Sequence, residues 1–174
     1  TYYLLMDRCA TCQYGMPTYQ SGRVVVTGGS DLSKMPGHVI RRLHQRSTAV
    51  FQERMRAVGQ DVTSVQFAAL DTLRRFPGID QATLAQMIAY DRATIGGVVK
   101  RLEQKGFIER PVAKEDRRAR TLRLTAAGDA TLSALIPVVS GLQADILDRL
   151  TDSERGLFIE LARKSLADGQ PAEG

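Results

Sequence analysis

The sequence contains no tryptophan, only two cysteines and two histidines, and 6% aromatic residues among 174. Cys9 and Cys12 are too few and too close together to staple a secreted fold. His38 and His44 fall on one stretch of helical pattern, and the chain has neither a Ser-centred elbow nor a glycine loop able to cradle phosphates. An enzyme is therefore not expected, and neither is a cofactor or a resident metal. The Cys9-x-x-Cys12 pair leaves one alternative: a thiol- or metal-responsive regulator in which His38 or His44 completes a metal site, or in which the thiols oxidise to a disulfide. No apolar run approaches the roughly 20 residues of a membrane-spanning helix. The start also lacks a basic segment followed by an apolar core. The expected location is cytoplasmic, with no membrane partner.

What is present is ordinary for a globular chain of one well-cored unit: 43% hydrophobic and 25% charged residues. The charge is unevenly placed. Asp91 to Arg123 holds ten Lys or Arg against five acids, a surplus equal to the net +5 of the whole chain, and the rest balances at fourteen of each sign. A local cationic surface on an otherwise neutral protein suits a polyanion.

Residues 1–34 show no sustained period and are read as an N-terminal arm, partly disordered or added in expression. From Pro36 to Val58, Ile40, Leu43, Val50, Phe51, Met55 and Val58 recur at helical spacing. Thr63 and Gln66 form a capping box ahead of Phe67, Leu70, Leu73 and Phe76, and Pro77-Gly78 ends that helix. Asp80 is placed to cap a short helix with Leu84, Met87 and Ile88. Asp91 is placed to cap another with Ile95, Val98, Val99 and Leu102. The three-residue turn Ala89-Tyr90-Asp91 between them reads as helix-turn-helix.

After Gly106 the period changes. Phe107-Ile108 and Leu122-Leu124 flank the charged run AKEDRRAR, the pattern of a two-stranded wing. Thr125 then caps a long helix with Leu132, Leu135, Ile136, Val139, Leu142, Ile146 and Leu150 on one stripe, with Pro137 as a kink site. Thr151 and Glu154 open a last helix with Leu157, Phe158, Leu161 and Leu166. The expected fold is mainly α with a small β-wing: a winged helix-turn-helix over about 63–124, with long dimerisation helices over about 36–58 and 125–168, within a domain of residues 35–174.

Three stretches resemble the MarR family of transcription regulators: TLAQMIAYDRATIGGVVKRLEQKGFIER (Thr83 to Arg110), DRRARTLRLTAAG (Asp116 to Gly128) and LTDSERGLFIELARKSL (Leu150 to Leu166). The D-R-R of the wing followed directly by L-T-x-x-G is the specific part of this likeness, which runs from about Pro36 to Leu166. It implies a homodimer that binds a pseudo-palindromic double-stranded DNA operator. The residues themselves point the same way. Arg92, Ala93, Thr94, Gly96, Gly97 and Lys100 lie on or just before the second helix, where short side chains let it enter the major groove. In the wing, Arg117, Arg118 and Arg120 are the groove and phosphate candidates. The resemblance places an arginine of this tip in the minor groove and makes Asp116 the residue that orients it.

The first helix carries an odd stripe. Ile40, His44, Thr48, Phe51 and Met55 share a face, yet two are polar, and burying polar groups without partners costs roughly 1–3 kcal/mol each. A ligand satisfying His44 and Thr48 is one reading; an interface histidine is the other. His38, Arg41 and Arg42 add the basic character a carboxylate needs. PGHVIRRLHQRSTAVF is similar to the matching stretch of MarR regulators of aromatic-acid breakdown, nicotinate catabolism included. That likeness implies a small aromatic acid as effector, held by His38, Arg41, Arg42, His44, Thr48 and Phe51, with repression as the mode of action.

Overall fold

The computed structural model describes residues 18–20, 23–25, 31–111 and 121–166. The chain divides into two units, residues 1–44 and 45–174.

In the first unit, β1 (Thr18–Gln20) and β2 (Arg23–Val25) pair antiparallel, with Tyr19 opposite Val24. This short ribbon lies inside what reads in the sequence as an arm. Its strands are three residues each, too short for a period of two to stand out. A single 3-10 turn, Leu32–Lys34, follows, with the Asp31 carboxylate accepting the Ser33 N–H at 3.1 Å. The helix α1 (Pro36–Ala57) begins here, its proline in the first turn where a missing N–H costs nothing.

The second unit holds the remainder of α1 together with α2 (Ser64–Arg75), α3 (Gln81–Met87), α4 (Ile95–Gln104), β3 (Ile108–Glu109), β4 (Arg123–Leu124), α5 (Ala126–Ile146) and α6 (Asp152–Leu166). The caps expected at α2, α5 and α6 form. Thr63 and Gln66 close their box reciprocally, at 3.3 and 3.1 Å, and Thr125 accepts the Gly128 N–H at 3.1 Å. Thr151 and Glu154 repeat the box at the head of α6. Each supplies a partner for backbone N–H groups that the first helical turn leaves without one.

One apolar cluster joins Leu70, Leu73, Leu84, Ile95, Val99, Leu102, Ile108, Leu122 and Leu132, all fully buried or nearly so. It holds α2, α3, α4 and the wing base to the start of α5. A second cluster, Phe51, Met55, Val62, Leu135 and Leu142, joins the later part of α1 to α5. Phe67 and Phe107 pack against both, and the Phe51 and Phe67 rings meet tilted at 6.2 Å between centroids.

Two further features differ from the sequence expectation. The segment between α3 and α4 runs from Ile88 to Thr94 rather than over three residues, because Asp91 caps a separate turn that leads into α4. The stripe assigned to α5 ends at Ile146, and Leu150 lies in the turn before α6.

Candidate nucleic-acid interface

The geometry of this region is set by Asp80 and Asp91. Asp80 accepts the Thr83 N–H at 2.7 Å and so starts α3. Its carboxyl is held below its usual range, chiefly by that bond, then by the Thr83 side chain, with a smaller contribution from Arg92. After α3 the chain reverses through Ala89, whose φ of 50° is left-handed, and the Tyr90 N–H returns to the Ala85 carbonyl at 2.9 Å. Asp91 then accepts the N–H groups of Ala93 and Thr94, each at 3.0 Å, and its carbonyl receives the Ile95 N–H.

With that entry fixed, α4 turns Ile95, Val98, Val99 and Leu102 into the core. Arg92, Ala93, Thr94, Gly97, Lys100 and Arg101 are left exposed, and Gly96 is half-buried. A Cβ at Gly96 would rest 3.4 Å from the Gln81 amide nitrogen, whereas one at Gly97 would meet nothing within 4 Å. No neighbour within the described chain therefore demands glycine at Gly97, although glycine inside a helix costs about 1 kcal/mol relative to alanine. The surface it leaves is low enough for another molecule to approach the backbone.

The charge of this region is partly engaged within the fold. Lys105 binds the Asp61 carboxylate at 2.8 Å and the Asp61 carbonyl, and it holds the Asp61 carboxyl below its usual range. Arg110 lies 3.9 Å from Glu103. Arg92, Lys100 and Arg101 form no ion pair among the described residues. Arg117, Arg118, Arg120 and Asp116 lie outside the described residues, but the base that presents them is described. β3 and β4 pair antiparallel, with Ile108 opposite Leu124 and Glu109 opposite Arg123. Leu122, just before β4, is tied to the turn after α2: its N–H donates to the Ile79 carbonyl at 2.8 Å and its carbonyl accepts from the Gly78 N–H at 2.9 Å. In the sequence Pro77-Gly78 reads only as a helix stop. Its second task, pairing with the returning strand of the wing, depends on a partner 44 residues onward.

Residues that sequence reasoning passed over hold the long helices together. Arg46 donates to the carbonyls of Ile146 at 2.8 Å and Asp145 at 3.1 Å, and pairs with Asp148 at 2.6 Å. Arg54 grips the Asp145 carboxylate with two nitrogens, and Arg155 donates to the Leu147 carbonyl. Near the start of α5, Arg74 binds Asp129 and the Ser133 hydroxyl. No local signal marks these arginines, since their partners lie far off in the chain.

Among the expected effector residues in the first unit, His38 is half-buried, and its Nδ1 is buried with no hydrogen-bond partner among the described residues. Arg41, Arg42 and His44 are exposed. The burial argument made for His44 therefore does not operate within a single chain. In the second unit Thr48 is half-buried and Phe51 is buried. Among the described residues no group of three or more His, Cys, Asp or Glu is placed to hold a metal. Cys9 and Cys12 lie outside those residues.

Two helices joined by a short turn and followed by a two-stranded ribbon, flanked by long helices, define a winged helix-turn-helix. The profile described as the MarR family matches residues 62–119. The chain is 34% identical over 142 residues to the HTH-type transcriptional repressor NicR of Pseudomonas putida, covering 82% of this chain and 89% of that one. Among solved structures it is similar to BpsR of Bordetella bronchiseptica, whose DNA binding is regulated by 6-hydroxynicotinic acid. That likeness has a TM-score of 0.73 and 28% identity, with 82% of this chain and 100% of that chain covered. It is also similar to the PcaV regulator of Streptomyces coelicolor in complex with its natural ligand, with a TM-score of 0.72, 30% identity, and 83% and 100% covered. The chain belongs to the MarR family of transcription regulators, which are not enzymes.

Proposed function

We propose that this protein is a cytoplasmic, homodimeric repressor that binds a pseudo-palindromic DNA operator and leaves it when a small aromatic carboxylate, such as a hydroxylated nicotinate or benzoate, is bound. The observation that carries the DNA reading is the solvent-facing side of α4 and of the turn leading into it, where Arg92, Thr94, Gly97 and Lys100 stand free of the core. Arginine and lysine there meet phosphates and base edges, and the absent side chain at Gly97 admits the groove wall. The winged helix-turn-helix occupies about 63–124, and Arg117, Arg118 and Arg120, oriented by Asp116, extend the contact into the minor groove.

The dimer reading rests on α6. None of its residues is buried in one chain, and Leu157, Phe158, Ile159, Leu161 and Leu166 are all large, apolar and exposed. A second copy covers them, with α1 and residues 125–168 forming the dimerisation helices. Pairing two recognition helices lets the dimer read half-sites roughly one helical turn apart.

The effector reading draws on NicR, a repressor, and BpsR, whose DNA binding responds to 6-hydroxynicotinic acid. It assigns recognition to residues borne by α1: His38, Arg41, Arg42, His44, Thr48 and Phe51. The Nδ1 of His38, buried with no hydrogen-bond partner among the described residues, supports a polar contact there. The test is an operator selected from a randomised duplex library, followed by a titration of the protein–DNA complex with 6-hydroxynicotinate and hydroxybenzoates. We expect at least tenfold weaker DNA binding with one of these acids, which needs about 1.4 kcal/mol of coupling. His38→Ala and Arg42→Ala should blunt the release while operator binding without ligand stays nearly intact. Recovery of no preferred duplex would reject the DNA reading. A preferred duplex that none of the acids releases would reject the effector class alone.

A further inference from the structure

Beside the turn that leads into α4 lies a shallow hollow lined by Ala82, Gln86, Tyr90 and Arg92. The side chains of Gln86, Tyr90 and Arg92 take no hydrogen bond or ion pair from any described residue. We infer that this hollow seats one backbone phosphodiester of bound DNA, with the Tyr90 hydroxyl, the Gln86 amide and the Arg92 guanidinium as its donors. The inference rests on the DNA-binding reading above and adds Gln86 and Tyr90 to the interface.

The local backbone is arranged around this hollow. Ala89 holds a left-handed φ of 50°, a conformation alanine rarely adopts, and the reversal it makes brings Tyr90 back toward α3, with the Tyr90 N–H on the Ala85 carbonyl. The Tyr90 ring is half-buried against the core while the residue also lines the hollow. Packing fixes a ring of this kind and leaves its hydroxyl as a rigid donor with little entropy to lose. Arg92 follows two residues later, at the head of the exposed face of α4.

Charge decides between a free anion and a phosphate carried by DNA. Arg92 is exposed to solvent, and a single exposed charge in water holds a small ion only weakly. A small free anion therefore gains little here. A phosphodiester arrives already held by the rest of the α4 surface, and the neutral donors Tyr90 and Gln86 bind it without adding to the charge balance. Such bonds position the duplex, while neighbouring side chains read its bases.

Because phosphate binding is independent of sequence, a mixed-sequence DNA duplex serves as the probe. Its affinity for the full chain is measured by fluorescence polarisation over a salt series, for the parent and for Tyr90→Phe, Gln86→Ala, Arg92→Ala and Arg56→Ala, the last on α1. Thermal melting checks that each variant is folded. Tyr90→Phe keeps the ring and hence the packing. Tyr90→Phe and Gln86→Ala should each weaken binding, up to roughly tenfold, at every salt concentration. Their salt slopes should match the parent, since neutral donors release no counterions. Arg92→Ala should lower the logarithmic salt slope by about 0.9 for each phosphate that the arginine neutralises, and Arg56→Ala should change neither quantity. If the parent binds the duplex and Tyr90→Phe and Gln86→Ala bind it equally well, the hollow is not a phosphate seat. A parent that fails to bind at low salt removes the DNA reading itself, and this inference with it. Inorganic phosphate supplies the second arm. If it raises the melting temperature of the parent but not of Tyr90→Phe, the seat belongs to a free anion and the inference is overturned.

Discussion

Gly128 lies directly against the main chain of Phe107: a Cβ built on Gly128 would stand 2.0 Å from the Phe107 carbonyl oxygen and 2.8 Å from its carbon. The same carbonyl accepts the Thr125 N–H at 3.0 Å, while the Thr125 hydroxyl donates to Gly106 at 2.6 Å and receives the Gly128 N–H. The L-T-x-x-G stretch is thus a lock between the start of α5 and the base of the wing.

Gly128→Ala must push these two segments apart. We expect a loss of about 3 kcal/mol, read as a lower urea midpoint with an unchanged slope. DNA affinity should fall as well, because the wing base moves. A variant as stable as the parent would show that the close approach relaxes freely.

Arg46→Ala removes two bonds to the carbonyls that end α5 and one ion pair to Asp148. Removing the two carbonyl bonds should cost about 1–2 kcal/mol. Most of that cost should survive in high salt, because screening acts on the exposed pair with Asp148 and far less on hydrogen bonds to carbonyls. Chemical denaturation in urea at low and at high sodium chloride checks both statements. A cost that disappears in salt would assign the effect to the ion pair.

Gly97→Ala separates stability from function. The added methyl meets nothing within 4 Å among the described residues and should stabilise α4 by about 1 kcal/mol. It should weaken DNA binding by obstructing close approach. A higher melting temperature with unchanged DNA affinity would take Gly97 out of the interface.

Asp80 makes stability depend on acid. Its folded pKa lies below the ordinary 3.8, so the cap stabilises fully above that value and is lost as pH falls through the lower folded pKa. Asp80→Ala should cost about 1 kcal/mol at neutral pH. The stability curves of parent and variant should converge as pH falls through that lowered folded pKa. Parallel curves down to the acid limb would mean that the cap does not operate in solution.

Leu157→Glu on α6 places a charge on the exposed apolar face and should convert a dimer to a monomer in light scattering. The folded core should persist, because Leu157 belongs to no buried cluster in its own chain. A variant that remains dimeric would move the interface away from α6.

Helices and caps were legible from the sequence because their causes are local. Thr63 with Gln66, Thr125 with Gly128 and Thr151 with Glu154 each act across three residues, and the apolar faces of α2 and α4 follow one period. The boundary between α3 and α4 was less legible, since Asp91 caps a turn with the same bonds it would use to cap a helix. The reason for the glycine in L-T-x-x-G was not legible at all, because the carbonyl it accommodates lies 21 residues upstream. Arg46 could not be told from any solvated arginine, as its partner carbonyl is 100 residues away. The exposure of His44 likewise could not be read from its stripe, because a stripe shows which residues share a face and not what covers them. The sequence by itself determined the elements, their ends and the cationic segment, since propensity, capping and charge act over a few neighbours. Only the tertiary structure decided the wing lock at Gly128, the α1–α5 clamp and the hollow at Tyr90, because each depends on backbone atoms that folding alone brings together.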